Sequence, residues 1–173
     1  MAVLNFEFKA RTTKLETLEA LLQTLNPQFI GVDKQTDTYF NAPNGRLKLR
    51  QGNIENSLIH YNRSNVEGAK QSDVLLYHHQ PEPMLLHVLT AALGIKTVVQ
   101  KSRKIYFIEN VKFHFDEVGN LGTFIEVEAI DKDGSIGIEK LKEQCHFYAQ
   151  LFAVLPEDYI AHSYSDLLLQ KMA

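Results

Sequence analysis

Eight stretches of this chain carry the period-two alternation, or the β-branched and aromatic enrichment, of strands: roughly 2–10, 35–41, 45–51, 57–63, 72–79, 96–108, 111–117 and 123–130. Short turn signals join several of them, "APNGR" around Asn44-Gly45, Glu109-Asn110, and "EVGNLG" at 117–122. Connections this short imply hairpins, hence antiparallel pairing. Eight strands is also about the number that closes a sheet on itself.

Four one-sided helical segments accompany the strands. Residues 13–26 open with Thr13 and Glu16 at capping-box spacing and carry Leu15, Leu18, Leu22 and Leu25 as a stripe. Residues 82–93 carry Leu85, Leu86, Leu89 and Leu93 and stop at Gly94, a good C-terminal cap. Residues 135–155 open on Ser135 and show Ile138, Leu141, Cys145, Tyr148, Leu151 and Leu155; a last helix, 163–171, follows "AHSY". Such helices pack on a sheet.

Sorting the strands by face separates charge by sign. In "NFEFKAR", 5–11, Asn5, Glu7, Lys9 and Arg11 share one side, and Phe6, Phe8 and Ala10 the other. Arg46, Lys48 and Arg50 share a face, as do Tyr61 with Arg63 and Lys101 with Arg103. Lys112, His114 and Asp116 oppose Val111, Phe113 and Phe115, while Glu126 and Glu128 oppose Ile125, Val127 and Ala129.

A wetted outer face explains alternation in any one strand. It does not explain segregation. Like charges at i and i+2 lie about 7 Å apart and repel by about 0.6 kcal/mol in water, several-fold more at an effective dielectric near 20. Helices covering an apolar outside would turn these faces inward, and an interior of that kind needs a ligand. Bases suit a polyanion; carboxylates at i, i+2 suit a hard cation such as Mg2+ or Mn2+. A metal-bound triphosphate satisfies both, in a design for phosphoryl transfer.

A net charge of -3 in 173 residues gives no overall pull toward nucleic acid or anionic membrane, and no aromatic base-stacking platform stands out. The single cysteine, Cys145, falls in an apolar helical pattern and reads as a buried hydrophobe in a reducing compartment. With no apolar signal core, no span-length run, no repeat and no linker, the chain reads as one cytoplasmic α+β domain, 1–173.

These residues resemble the CYTH superfamily, the triphosphate tunnel metalloenzymes, which includes class IV adenylate cyclases, thiamine triphosphatases and inorganic triphosphatases. The family's first strand reads E-x-E-x-K; here it is Asn5, Glu7 and Lys9. "GRLKLR" with Lys48 and Arg50, "YNR" with Arg63 and "QKSRKIY" with Lys101 and Arg103 are similar to its phosphate-binding strands. "FDEVGNLGTFIEVEA" resembles the stretch whose acids, Asp116, Glu126 and Glu128, face the metal, and "SYSDLL" the C-terminal segment of the cyclase-related branch.

The resemblance implies an eight-stranded antiparallel closed β-barrel, the triphosphate tunnel, with helices on its outside. It implies Glu7, Asp116, Glu126 and Glu128 on Mg2+ or Mn2+. It also implies Lys9, Lys48, Arg50, Arg63, Lys101 and Arg103 on phosphates, with Arg46 and Lys112 behind them. Glu7 and Lys9 would be catalytic, and a homodimer is compatible with it. Asn5 stands in place of the family's first glutamate; its amide oxygen still coordinates a hard cation, but without charge.

Two chemistries share such a tunnel: attack of the ribose 3'-hydroxyl on the α-phosphorus of ATP, giving cyclic AMP and pyrophosphate, and hydrolysis of a thiamine, inorganic or other organic triphosphate. The "NxExKAR" opening and "SYSDLL" ending lean toward the cyclase. A catalytically weakened nucleotide- or polyphosphate-binding module is the alternative that Asn5 favours. His78 and His79 point to opposite faces and are no metal pair; His114 is an acid/base candidate or a carboxylate's orienting partner; Tyr61 and Tyr106 read as packing residues.

Overall fold

The computed structural model describes residues 3–62 and 68–173. Its strands are β1 (Val3–Arg11), β2 (Gln28–Phe40), β3 (Arg46–Gln51), β4 (Asn56–Asn62), β5 (Lys70–His78), β6 (Ile95–Ile108), β7 (Val111–Val118) and β8 (Gly122–Asp131). They close into a barrel in the order β1-β5-β4-β3-β2-β6-β7-β8, every neighbour antiparallel. The helices are α1 (Leu15–Gln23), α2 (Pro83–Leu93), α3 (Ile138–Leu151) and α4 (Tyr164–Met172). The expected α+β barrel is therefore present.

The main apolar core lies outside the barrel. Phe8 of β1, Phe113 and Phe115 of β7, and Ile125 and Val127 of β8 turn outward and are sealed by Leu22 of α1 and Leu141, Cys145 and Tyr148 of α3. Each such side chain removed from water contributes about 1.5–3 kcal/mol, which drives the alternate residues of the same strands into the barrel. Cys145 belongs to this layer: its Sγ donates to the Phe6 carbonyl oxygen at 3.1 Å, and burial pushes its thiol up to about 12.

A second apolar cluster continues the inward faces at one end of the barrel. Val99, Val118 and Phe124 meet Tyr164, the first residue of α4. The α4 cap is a true capping box: Ser163 Oγ accepts from the Asp166 N–H and Asp166 accepts from the Ser163 N–H.

Several boundaries differ from expectation. β2 starts at Gln28 rather than 35, because β6 offers it a ladder of matching length, with a bulge between Phe29 and Gly31. Phe29, Ile30 and Val32 are all exposed, so no alternation announces that half. Thr13 does not cap α1; the N-cap is Lys14, whose N–H is taken by Thr12 Oγ1. Nor does Ser135 open α3. Asp131 instead accepts the N–H groups of Gly134, Ile136 and Gly137, and the helix starts after Gly137. It ends at Leu151, not 155, because Ala153 takes φ 49° and breaks the helical run. No helix among the described residues is long and apolar enough to cross a membrane.

Candidate functional site

The inward faces enclose a cavity of about 510 Å³. Its cationic side is set by the ladders of β2, β3 and β6. Asp37 of β2 stands opposite Arg50 of β3 in the ladder, and its two oxygens accept from Arg50 Nε at 2.9 Å and Nη2 at 2.8 Å. Lys101 Nζ donates to Asp37 Oδ2 at 2.7 Å, and Lys48 Nζ lies 3.5 Å away. One carboxylate thus gathers three cations. Burial alone would raise the Asp37 carboxyl, but Arg50, Lys101 and Lys48 together hold it well below the usual range. Burial drives the Lys101 ammonium well down, an effect Asp37 only partly offsets.

Arg103 repeats the arrangement one strand on. Its Nε and Nη2 each reach an Asp116 oxygen at 2.7 Å, the two residues facing across β6 and β7. Burial would lower the guanidinium, yet Asp116 raises it well above its ordinary value. Tyr164 Oη donates to Asp116 Oδ2 at 2.8 Å, so both carboxylate oxygens are engaged.

The acidic side is β1 against β8. Glu7 pairs with Glu128 in register and Lys9 with Glu126. Lys9 Nζ lies 3.9 Å from Glu126 Oε2 and 3.8 Å from the centre of the Tyr164 ring. Arg103 Nη2 approaches the same Glu126 oxygen at 3.3 Å. Asn5 Nδ2 donates to Glu128 Oε1 at 2.6 Å, while its buried Oδ1 finds no partner among the described residues. Burial and the charge of Glu7 push Glu128 up to about 7. His114 Nδ1 stands 3.4 Å from Glu126 Oε2 without hydrogen-bond alignment, and burial and Arg103 bring its imidazole down to about 4.

A third feature comes from the β3–β4 turn. Asp33, fully buried, accepts from the N–H groups of Ile54 and Glu55, both at 2.9 Å. That fixes Glu55 inside the cavity, where it meets Arg50 at 3.2 Å, Gln35 Nε2 at 3.1 Å and the Lys112 ammonium. Burial would raise the Glu55 carboxyl; Lys112 and Arg50 outweigh it and lower it strongly.

Of the residues expected from sequence, Glu7, Lys9, Lys48, Arg50, Lys101, Arg103, Lys112, His114, Glu126 and Glu128 all line this one cavity. Asp116 stands behind Arg103 rather than at the cavity surface. Arg46 turns to α4 and pairs with Asp166 Oδ2 at 2.7 Å. Arg63 lies outside the described residues. Tyr61 lines the cavity, whereas Tyr106 packs in the outer core and donates to Glu19. His78 lines the cavity beside Ser57, and His79 approaches the Arg50 carbonyl oxygen.

Asp37, Glu55 and Tyr164 are cavity residues that sequence reasoning missed. Asp37 was within reach, since Gln35, Asp37 and Tyr39 share the face of a recognised strand. Glu55 sits in a turn and carries no such signal.

No curated protein matches the chain. Among solved structures, a Pyrococcus horikoshii protein superposes with a TM-score of 0.77 at 23% identity, covering 96% of this chain and 99% of its own. A Vibrio parahaemolyticus protein described as a candidate adenylate cyclase gives 0.76 at 16%, covering 98% and 99%. A Hippeastrum candidate adenylyl cyclase, described as having a dominant triphosphatase activity, gives 0.63 at 15%, covering 98% and 95%. Likeness at these identities shows the fold. The CYTH domain model matches residues 4–164, nearly the whole barrel and the start of α4, and the chain belongs to the CYTH family.

Proposed function

We propose that the tunnel holds a triphosphate with a divalent cation, Mg2+ or Mn2+, and that the chain is an adenylate cyclase-like enzyme converting ATP to cyclic AMP and pyrophosphate. One observation carries this: Lys48, Arg50, Lys101 and Arg103 converge on the same cavity wall that faces Glu7, Glu126 and Glu128. The cations clamp the phosphate oxygens, with Arg63 as a further clamp. Asp37 and Asp116 hold the clamps in place before any ligand arrives, so little ordering remains to be done at the moment of reaction. In this assignment Asp116 orients Arg103 instead of meeting the metal. Lys9, held between Glu126 and the Tyr164 ring, offers positive charge where negative charge develops on the oxygens of the reacting phosphate.

The acidic wall fits a hard cation. Glu7 and Glu128 are cross-strand neighbours whose like charges are crowded, and the unpartnered Asn5 oxygen beside them is a neutral hard donor. Among the described residues no three acidic, histidine or cysteine side chains are disposed to hold an ion alone. That suits Mg2+, which takes one or two carboxylates and completes its shell with substrate phosphate and water. Such an ion, when bound, neutralises developing charge and polarises the phosphoryl group.

Hydrolysis to release phosphate is the second reading, favoured by likeness to the Hippeastrum protein. The purified chain is incubated with Mg2+ or Mn2+ and, in turn, ATP, thiamine triphosphate and inorganic triphosphate. Equal cyclic AMP and pyrophosphate from ATP is the expected result; orthophosphate from any of the three supports hydrolysis instead. Glu126→Gln should lower turnover by about 10²-fold or more. No turnover of any ligand overturns the enzymatic reading.

A further inference from the structure

We infer that Glu55 is the tunnel's own counter-anion, seated where a phosphate group of the ligand goes, and that an anionic ligand binds by turning it out. The inference rests on the triphosphate reading and adds a residue that sets how tightly the ligand is held.

Among the described residues two acids meet Arg50, and they do so differently. Asp37 is fully buried on the neighbouring strand and accepts from Nε and Nη2. Glu55 Oε2 accepts from Nη1, the guanidinium nitrogen that Asp37 leaves. The other Glu55 oxygen meets the Lys112 ammonium. Arg50 stands on β3 and Lys112 on β7, with β2 and β6 between them. Three strand spacings are about 14 Å along the wall. Both side chains line the cavity, so one carboxylate reaches them together only from within the lumen. Asp37 braces Arg50 from the same wall; Glu55 bridges separate walls.

The donors gathered on Glu55 are those a phosphate would use. Arg50 gives a guanidinium N–H at 3.2 Å, Gln35 an amide N–H at 3.1 Å, and Lys112 its ammonium. Charge-assisted bonds of this kind serve carboxylate and phosphate oxygens alike. Burial opposes the Glu55 charge, yet Lys112 and Arg50 hold the carboxyl well below its usual range. The competing anion is therefore present throughout the neutral pH range.

The turn lets the side chain leave while the backbone stays. Asp33 fixes the Ile54 and Glu55 N–H groups, and Asn53 is tied to β2 through the Lys34 N–H and the Val32 carbonyl oxygen. The Glu55 side chain keeps 23% of its surface in water, against 1% for Asp37, so rotation about its own bonds carries the carboxylate to solvent. Arg50, Gln35 and Lys112 then face the ligand. A triphosphate brings more charge and more oxygens than one carboxylate, so the exchange favours the ligand.

Calorimetric titration of the full chain with inorganic triphosphate tests this, in EDTA and again at 4 °C with Mg2+ and a check that the ligand stays intact. Glu55→Gln keeps the side chain's size and removes its charge. In each buffer where the wild type binds, the variant should bind about five- to twentyfold more tightly. Equal or weaker binding by the variant overturns the inference and leaves the triphosphate reading standing, since the wild type still binds. No binding by either protein in either buffer ends both. A crystal structure of the wild type with inorganic triphosphate needs no variant: Glu55 should be turned off Arg50 and Lys112, and Glu55 still seated on both beside bound ligand overturns the inference.

Discussion

A single buried carboxylate organises the cationic side of this tunnel. Asp37 binds Arg50 through two bonds and Lys101 through one, with Lys48 close by. Like-charged groups packed this densely would otherwise repel, and taking them from water costs several kcal/mol per ion. Asp37→Ala should therefore destabilise the ligand-free protein by about 3–5 kcal/mol, since it strands buried positive charge. Added triphosphate should recover more stability in the variant than in the wild type, because it supplies the missing anion. Thermal unfolding with and without ligand reads both effects; a variant as stable as wild type would remove Asp37 from this role. Position 37 was legible in the alternation of "QTDTYF", but its partners were not. Lys48 and Arg50 come from the neighbouring strand β3, but Lys101 lies far along the chain on β6, and only strand register and ladder order bring all three onto one carboxylate.

At the scale of elements, the β3–β4 turn shows how local geometry sets site chemistry. A Cβ on Gly52 would sit 2.5 and 2.8 Å from the two Asp33 oxygens and 2.8 Å from the Glu55 carbonyl oxygen. Those Asp33 oxygens hold the Ile54 and Glu55 N–H groups, which in turn place Glu55 against Lys112 and Arg50. Gly52→Ala should cost about 1–3 kcal/mol through this forced displacement, seen as a lower unfolding midpoint in urea; an unchanged midpoint would show that the turn adapts freely. In the sequence the turn is only a glycine between two strands. Besides the Glu55 carbonyl within the turn, the residue that makes the glycine necessary is Asp33 of β2, nineteen positions earlier. Helix starts were misread for a related reason: Thr13 and Ser135 have capping chemistry, but Asp131 captures the α3 entry loop from the end of β8.

For the whole molecule, the consequence of closing the barrel is a set of acids that crowd one another. Glu128 is held at about 7 against an ordinary 4.5, by burial and by Glu7. Across that window the folded state keeps a proton on Glu128 that the unfolded chain releases, a contribution to stability that falls as pH rises. His114, brought down to about 4, contributes stability that rises over about pH 4 to 6.5. In chelator, Glu128→Gln should remove the falling contribution, so that the variant gains on the wild type as pH rises and is the more stable at pH 8 by about 1–3 kcal/mol, several degrees in Tm. Divalent cation should stabilise the wild type at pH 8 more than the variant. A melting-temperature difference between the chelated variant and wild type that does not grow from pH 5 to 8 would contradict the crowding.

What the sequence determined by itself was the strand count, the inward set Glu7, Lys9, Lys48, Arg50, Lys101, Arg103, Glu126 and Glu128, and the sign of charge on each strand. Alternation is a local property, fixed by which side of an extended backbone each residue occupies. Tertiary structure alone decided the pairings: Asp37 with three cations, Asp116 turned to Arg103 and Tyr164, Glu55 brought in by a turn, Arg46 drawn away to Asp166. Those depend on strand order, register and the entry of α4. They are set by the closure of the sheet, a long-range condition that no stretch of residues encodes alone.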